Sequence, residues 1–285
     1  MPAGAALEAA ELVKFGHTAF ALPFALIAAI AAAGGMPRWP VVAWIVLAMA
    51  GARTAAMAFN RLADHATDAM NPRTSSRTLP ARRLGRPIAW TLVGWGAAAL
   101  FVAAWRLNPL CLALSPFALA WVLGYSYSKR FTSLSHLWLG LGLGIAPVGA
   151  WLAVRGSFAW PPLVLALAVT AWVTGFDILY SLQDEEFDRA IGLHSIPAAL
   201  GAWRSILVAR GLHAVAAIGF GGFAMLIGGW GLWVGLAVAT ALLVWQHALV
   251  GPDRLERLNT AFFTANGALS VLMFALYLLD IMVRA

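Results

Sequence analysis

Apolar residues occur along this chain in long blocks rather than in short alternating patterns. Nine predominantly apolar runs are separated by brief turns or by longer polar segments. A helix needs about 20 such residues to cross the hydrocarbon core of a bilayer. The pattern therefore predicts nine membrane-spanning helices. Their ranges are roughly 16–35, 40–59, 88–106, 109–127, 135–154, 160–180, 205–227, 229–250 and 260–282.

Two of the connecting segments, 60–87 and 181–204, are long and polar. The first follows the second span and the second follows the sixth, so they lie four spans apart. This weak internal repeat predicts two four-helix halves around a central cavity, plus a ninth helix, within a single domain over 1–285. Transporters are also built from paired halves around a central site. The repeat alone therefore leaves an enzyme and a carrier both open.

Composition strengthens the membrane interpretation. Hydrophobic residues make up 62% of the 285 residues and charged residues only 11%, whereas soluble domains carry about 25% charged residues. The net charge of +7 does not indicate a nucleic-acid partner, because membrane proteins collect Lys and Arg in their cytoplasmic loops. Cys111 is the one cysteine and lies in an apolar run, so we expect it to be a packing residue.

The distribution of basic residues predicts the orientation. If the N-terminus is cytoplasmic, the inside segments hold 13 Lys and Arg and the outside segments hold 4. This bias follows the positive-inside rule. Both long polar segments then lie on the cytoplasmic side. The count used only Lys and Arg, so the shared side of the acidic residues is an independent result.

The first polar segment opens with an acidic motif. Asp64 and Asp68 are four residues apart, so on a helix they share one face about 6 Å apart along the axis. Asn60 lies one turn earlier on that face. Carboxylates placed in this way repel each other and weaken the helix. Mg²⁺ would relieve the repulsion, since it prefers oxygen ligands and shares its shell with substrate phosphates.

A second acidic motif ends the sixth span, with Asp177, Tyr180, Asp184 and Asp188 spaced by three or four residues. The two stretches that carry these motifs also contain Glu185 and Glu186, and together they hold seven of the twelve acidic residues. A solvated loop face is the simpler alternative. However, Asp177 falls within an apolar span, where ionisable residues are costly and usually functional. We therefore expect both motifs to contribute to one metal site.

Basic residues accompany these motifs. Lys129 and Arg130 end the fourth span in the stretch Tyr125-Ser-Tyr-Ser-Lys-Arg, and Arg61 and Arg77 flank the first acidic motif. If the stretch stood alone, an interfacial belt of tyrosines and snorkelling cations would be an alternative explanation. Beside a metal site, the same cations would bind diphosphate oxygens.

Arg53 lies deeper in the membrane, seven residues before Asn60 on the same helical face. A buried Arg needs a partner, which is either Asp177 or an anionic group of a substrate. His17 is a weaker candidate. The run Gly140–Gly144 follows no strand, so we interpret it as a surface for close helix packing rather than a phosphate loop.

These motifs resemble a known family. The first extends through Asn71-Pro72-Arg73-Thr74 to Arg77-x-Leu79-Pro80, and with the second it resembles the two signatures of the UbiA family of membrane prenyltransferases. The stretch ending in Lys129 and Arg130 resembles the element between those signatures. The resemblance covers essentially the whole chain.

The resemblance implies an all-helical membrane enzyme of the bacterial inner membrane, with an active site facing the cytoplasm. It would move a polyprenyl group from polyprenyl diphosphate to an aromatic carboxylic acid, with the bilayer as its surroundings and no nucleic acid. Mg²⁺ would lie between the two motifs and grip the diphosphate. The metal ligands would be Asn60, Asp64, Asp68, Asp177, Asp184 and Asp188. The substrate-binding residues would be Asn60, Arg61, Lys129, Arg130, Arg53, Tyr125, Tyr180 and Arg77, and the catalytic residues Asp64, Asp68, Asp184 and Asp188.

The acceptor that this resemblance favours is 4-hydroxybenzoate, as in ubiquinone biosynthesis. The stretch from His17 to Phe24 also resembles a branch that prenylates 1,4-dihydroxy-6-naphthoate in menaquinone biosynthesis, so that acceptor stays open. A metal- or proton-coupled carrier is the alternative of another class. Several aromatic residues would line the cavity or serve as ordinary packing residues. These are Phe20, Phe24, Tyr125, Tyr127, Trp172 and Tyr180.

Overall fold

The computed structural model describes Glu8, residues 20–81, 83–251, Leu258 and residues 261–284. The elements of these residues are helical. In chain order they are α1 (Leu22–Ala33), α2 (Trp39–Ala63), α3 (His65–Met70), α4 (Arg86–Leu107), α5 (Pro109–Ser128), α6 (Ser135–Arg155), α7 (Trp160–Ser181), α8 (Glu185–Ala190), α9 (Ile196–Ile227), α10 (Trp230–Leu249) and α11 (Asn266–Arg284). A 3₁₀ turn, Leu182–Asp184, joins α7 to α8, and a π-helical turn, Ala261–Ala265, precedes α11.

The nine predicted spans correspond to helices in the same order. Within the described residues, eight helices are long and apolar enough to cross a membrane, and α1 is a shorter apolar helix. The all-helical membrane fold is therefore confirmed. The start of the first predicted span, 16–19, lies outside the described residues.

Helix α9 begins well before the predicted span. Ser195 caps it, because its side chain accepts a hydrogen bond from the Ala198 amide. Gly201 then adopts φ 77° and ψ 166°, a conformation that glycine reaches far more readily than other residues. This first turn lies outside the predicted span because a kink at Gly201 separates the two.

The first of two compact units contains Glu8 and Ala43–Tyr127. Its helices α2 and α4 approach closely where Gly51 faces Gly96. A Cβ added to either glycine would lie 2.6 Å from a backbone atom of the other helix. Below them, Leu79 and Leu84 of the polar segment pack into a cluster with Ala58. This cluster folds the polar segment back onto the end of α2, where the first acidic motif lies.

The second unit contains Ala19–Val42 and Ser128–Ala285. Helix α7 is its most enclosed element, with α6 on one face and α9 on another. Gly140 of α6 lies against Thr170 of α7, and an added Cβ there would be 2.6 Å from the Thr170 carbonyl oxygen. Gly144 makes the equivalent approach one turn later. The interpretation of this glycine run as a packing surface is confirmed.

Aromatic side chains fill the centre of the second unit. Phe24 stacks on Phe220 with 5.3 Å between ring centroids and also contacts Trp172. The indole Nε1 of Trp172 donates a hydrogen bond of 2.9 Å to Oδ1 of Asn266. Phe24 and Trp172 are both fully buried, so packing is the better of the two interpretations for this pair.

The start of α10 is fastened to the end of α11. The buried Asp280 accepts a hydrogen bond of 3.1 Å from the backbone amide of Gly231. Its other carboxylate oxygen lies 2.6 Å from Nε of Arg284. A carboxylate at a helix N-terminus satisfies a free amide and complements the helix dipole.

The two units group the spans differently from the sequence repeat. The first unit has three spans, α2, α4 and α5, and the second holds α1 and the remaining five. The predicted four-helix halves follow the order of the motifs along the chain, whereas the units reflect which helices pack together.

Candidate functional site

The first acidic motif lies at a break between two helices. Helix α2 ends at Ala63, and Asp64 precedes the six-residue helix α3 with φ −94° and ψ 8°. The hydrogen bonds from Asp64 N to Asn60 O and from Asp68 N to Asp64 O continue across the break. Asn60 Nδ2 also donates to Asp64 Oδ2 at 2.8 Å. The chain therefore bends at Asp64 yet keeps the four-residue phasing that the sequence predicted.

Asp68 is paired with two arginines. Arg77 donates a hydrogen bond from Nη1 to Asp68 Oδ1 at 2.7 Å, and Nη1 of Arg61 lies 3.7 Å from Oδ2. That Oδ2 atom is buried and accepts no hydrogen bond. The segment between Asp68 and Arg77 is fixed by Thr74, whose hydroxyl donates to the Asp68 carbonyl. The predicted residues Arg61, Asp68 and Arg77 are thus brought together in the first unit.

The second acidic motif has a similar local geometry in the second unit. Helix α7 gives way to the 3₁₀ turn at Leu182, and Asp184 precedes the six-residue helix α8 with φ −105° and ψ 3°. Asp188 is buried within α8, and Nζ of Lys129 lies 3.3 Å from its Oδ2. A backbone hydrogen bond also joins the segment after α8 to the segment after α5, since the His194 amide donates to the Lys129 carbonyl at 2.7 Å.

The two motifs therefore share one local design. In each, the first aspartate precedes a six-residue helix and the second occupies its fourth position. In each, the second aspartate is buried and paired with a cation from elsewhere in the chain. The sequence repeat identified the equivalent pairs, and the structure adds that each pair lies across a helix break.

Asp177 has a partner that the sequence analysis missed. Nδ1 of His136 lies 2.7 Å from Oδ2 of Asp177, and the His136 side chain is fully buried. The other ring nitrogen of His136 accepts a hydrogen bond of 3.3 Å from the Ile196 amide. His136 begins the fifth span as an isolated histidine, and its partner is 41 residues away. Spacing along one helix therefore gave no signal for this pair.

Comparisons with known proteins identify the family. The model of the UbiA prenyltransferase family matches residues 21–270. This chain belongs to the UbiA prenyltransferase family. It is 32% identical over 258 residues to a 4-hydroxybenzoate octaprenyltransferase of Alkalilimnicola ehrlichii, covering 88% of this chain and 85% of that protein.

Solved structures of UbiA proteins share the fold. An apo UbiA homologue from Aeropyrum pernix K1 superposes with a TM-score of 0.85 at 34% identity, covering 93% of this chain and 98% of that one. A homologue from Archaeoglobus fulgidus bound to DMAPP and Mg²⁺ gives a TM-score of 0.76 at 18% identity, covering 97% and 99% of the two chains. This protein is accordingly a membrane prenyltransferase.

The remaining predicted residues of this UbiA enzyme lie in different surroundings. Arg53 is half-buried within α2, and Tyr125 is half-buried near the end of α5. Arg130 is exposed, unlike the neighbouring Lys129. Tyr180 packs against Phe262 with 4.2 Å between ring centroids. His17 lies outside the described residues.

The residues of each motif suit a magnesium ion that is shared with a substrate. No group of three or more His, Cys, Asp or Glu side chains within the described residues could hold a metal ion by itself. Mg²⁺ is usually bound through one or two carboxylates, with water and substrate phosphates completing its octahedral shell. Asp64 and Asp68 with the Asn60 amide supply such a set. The buried Oδ2 of Asp68, which accepts no hydrogen bond, is a natural ligand atom.

Proposed function

We propose that this prenyltransferase moves a polyprenyl group from polyprenyl diphosphate to a ring carbon of 4-hydroxybenzoate. The observation that carries the proposal is the similarity, over 88% of this chain, to a protein named 4-hydroxybenzoate octaprenyltransferase. Relatives from Sodalis glossinidius and Burkholderia vietnamiensis have the same name at 30% and 31% identity. The chemistry of both acidic motifs supports the polyprenyl diphosphate as the donor.

The acidic motifs would bind Mg²⁺ through Asn60, Asp64 and Asp68 in the first unit, and through Asp184 and Asp188 in the second. When bound, Mg²⁺ neutralises charge on the diphosphate and so makes it a better leaving group. The Archaeoglobus fulgidus homologue, captured with DMAPP and Mg²⁺, supports this choice of ion.

The cations beside the motifs would bind diphosphate oxygens. Arg61 and Arg77 already lie against Asp68, and Lys129 against Asp188. Guanidinium groups suit this task because they bind phosphate oxygens in a bidentate manner. Arg130, exposed at the end of its segment, would contribute from the aqueous edge.

The acceptor would be held by its carboxylate and attacked at its ring. Arg53 lies within α2, two turns before Asn60, and would pair with the carboxylate of 4-hydroxybenzoate. The carbon–oxygen bond of the allylic diphosphate breaks with its electron pair on oxygen. A ring π pair ortho to the hydroxyl then forms the new carbon–carbon bond, and the ring carbon loses its proton to a base. Tyr125 and Tyr180 would shield the allylic cation with their ring faces.

We further propose that the site faces the cytoplasm of a bacterial inner membrane. The positive-inside bias of the polar segments supports this orientation. Fusing a reporter that is active only in the cytoplasm into segment 60–87 tests the orientation independently of activity. No signal from that fusion, together with a signal from the same reporter fused into a segment assigned to the outside, would contradict it.

A competition experiment tests the acceptor. Purified enzyme would be supplied with Mg²⁺, geranyl diphosphate and equal amounts of 4-hydroxybenzoate and 1,4-dihydroxy-6-naphthoate. We expect C-geranylated 4-hydroxybenzoate as the main product. A prenylated naphthoate would instead indicate the menaquinone branch. Substrate uptake into vesicles, with no prenylated product from any phenolic acid, would indicate a carrier.

Two variants connect the product to the site. We expect Asp64→Ala and Asp184→Ala each to abolish turnover, because each removes an oxygen ligand from its motif. Glu186→Ala is a suitable control, since Glu186 lies within α8 beside the motif and is exposed. Full activity in Asp64→Ala or Asp184→Ala would contradict the proposed metal site.

A further inference from the structure

His136 and Asp177 form a buried pair that the diphosphate mechanism does not use. His136 stands at the second position of α6 and Asp177 near the end of α7. The exposed fraction of the side chain is 0% for His136 and 16% for Asp177. The histidine is thus closed off within the second unit, while the carboxylate keeps some accessible surface.

The hydrogen bonds of His136 define which ring nitrogen carries the proton. The Ile196 amide can only donate, so Nε2 of His136 must be the acceptor in their 3.3 Å contact. The ring proton therefore lies on Nδ1, which donates to Oδ2 of Asp177 at 2.7 Å. A neutral imidazole with both nitrogens engaged holds one oxygen of Asp177 and leaves the other available.

Asp177 lies too far along the chain to act with the carboxylates of its own motif. From Asp177 to Asp184 the chain runs through the last turn of α7 and the 3₁₀ turn, which is roughly 11 Å along the axis. Two oxygens on one Mg²⁺ lie only about 4 Å apart, because each bond is about 2 Å long.

The spacing also places Asp177 at a different depth from Asp184. Asp177 lies within α7, before the 3₁₀ turn that carries Asp184, and therefore deeper in the apolar span. An allylic diphosphate held at Asp184 would extend its organic part into that apolar region. The accessible oxygen of Asp177 is thus placed to meet the organic reactants rather than the phosphates.

We propose that Asp177 accepts the ring proton of the aromatic acceptor and that His136 is the positioning residue for this carboxylate. This inference rests on the proposed function and assigns Asp177 a different role from the metal ligation that the sequence suggested. After the carbon–carbon bond forms, the carbon–hydrogen bond at the same ring carbon breaks. Its electron pair restores the aromatic ring, and the proton moves to the free oxygen of Asp177. Diphosphate leaves separately, so atoms and charge balance.

The test separates loss of the diphosphate from transfer to the ring. Full-length enzyme in nanodiscs would be given Mg²⁺, geranyl diphosphate and 4-hydroxybenzoate, and both diphosphate release and C-geranylated product would be measured. Binding of geranyl thiolodiphosphate, an analogue that ionises poorly, would be measured with Mg²⁺ by calorimetry. In Asp177→Asn we expect analogue binding within about threefold of wild type and continued diphosphate release with geraniol as product. C-geranylation should fall about 100-fold or more, in line with the usual contribution of a general base.

Two histidine variants test the positioning role. The side-chain amide of His136→Asn can replace Nδ1 as the donor to Asp177, so we expect it to retain most C-geranylation. His136→Leu cannot donate, and we expect about a tenfold or greater loss of C-geranylation with unchanged analogue binding. A purely structural role for His136 would lower analogue binding and product formation together in both variants.

Each contrary result has a distinct meaning. A tenfold or greater loss of analogue binding in Asp177→Asn would make Asp177 part of the metal and diphosphate site and would overturn the inference. Equal product from wild type and Asp177→Asn would overturn the inference alone. If wild type forms no C-prenylated product with either aromatic acid, the inference and the proposed function both fall.

Discussion

Arg77 donates a hydrogen bond of 2.7 Å from Nη1 to Oδ1 of Asp68. The carboxylate is almost completely buried, and the Arg77 side chain is about one quarter exposed, at 24%. A buried carboxylate is stable as an anion only when it is paired. Arg77 therefore stabilises Asp68, and under the proposed function the same guanidinium would also bind the diphosphate.

We expect Arg77→Ala to raise the KM for the prenyl diphosphate about tenfold to 100-fold, because it removes a charge-assisted hydrogen-bond donor. Arg77→Lys should recover part of this loss, since it restores the charge without the planar fork. Arg73→Ala, in the same segment and exposed, is the matched control and should change the KM less than threefold. Steady-state kinetics with geranyl diphosphate measures all three. Equal effects from Arg73→Ala and Arg77→Ala would refute a specific role for Arg77.

Lys129 and Arg130 provide a comparison between adjacent cations. Lys129 lies 3.3 Å from the buried Asp188, whereas Arg130 is exposed. We expect Lys129→Met to lower kcat/KM at least about tenfold, because Asp188 would remain buried without its counter-ion. Arg130→Met should lower it only a few-fold, as is usual for exposed charges. Steady-state kinetics would compare kcat/KM of the two variants. A larger loss in Arg130→Met than in Lys129→Met would contradict the prediction.

Arg53 tests how the acceptor is held. We expect Arg53→Ala to raise the KM for 4-hydroxybenzoate about tenfold or more and to leave the KM for geranyl diphosphate unchanged. Phenol, which lacks the carboxylate, should be a poor acceptor for both proteins and equally poor in each. If Arg53→Ala weakened the use of phenol as much as that of 4-hydroxybenzoate, the carboxylate role would be wrong.

The glycine contact between α6 and α7 makes a prediction about stability. Gly140→Ala would place a methyl group 2.6 Å from the Thr170 carbonyl oxygen, and such overpacking costs about 1–3 kcal/mol. Gly149→Ala, on the same helix, meets nothing within 4 Å and should leave the protein as stable or slightly more so. Thermal unfolding in detergent, followed by circular dichroism, compares the two variants. Equal melting temperatures would show that the contact is not tight.

The spans and both acidic motifs could be predicted from the sequence because their signals are local. An apolar run reports a span directly, and the four-residue spacing of Asp64 and Asp68 survived the break between α2 and α3. The break itself was not predictable. Neither Asp64 nor Asp184 is preceded by proline or glycine, so the sequence has no helix breaker at these positions.

Side-chain pairs between distant segments could not be predicted from a single sequence. His136 pairs with Asp177 and Asn266 with Trp172, across separations of 41 and 94 residues. Each is a polar residue in or beside an apolar run, and nothing in its own helix indicates where its partner lies. Such residues could be flagged as costly in a membrane, but the pairing itself is a property of tertiary packing.

The contact between Asp280 and the start of α10 bears on how the chain enters the bilayer. Asp280 is fully buried, and its carboxylate contacts both the Gly231 amide and Arg284. A lone aspartate at the centre of an inserting helix costs about 2.5–3.5 kcal/mol, less toward the helix ends. Helix α11 should therefore insert more efficiently when α10 is already in the membrane. The order of synthesis, α10 before α11, thus favours assembly of the last helical hairpin.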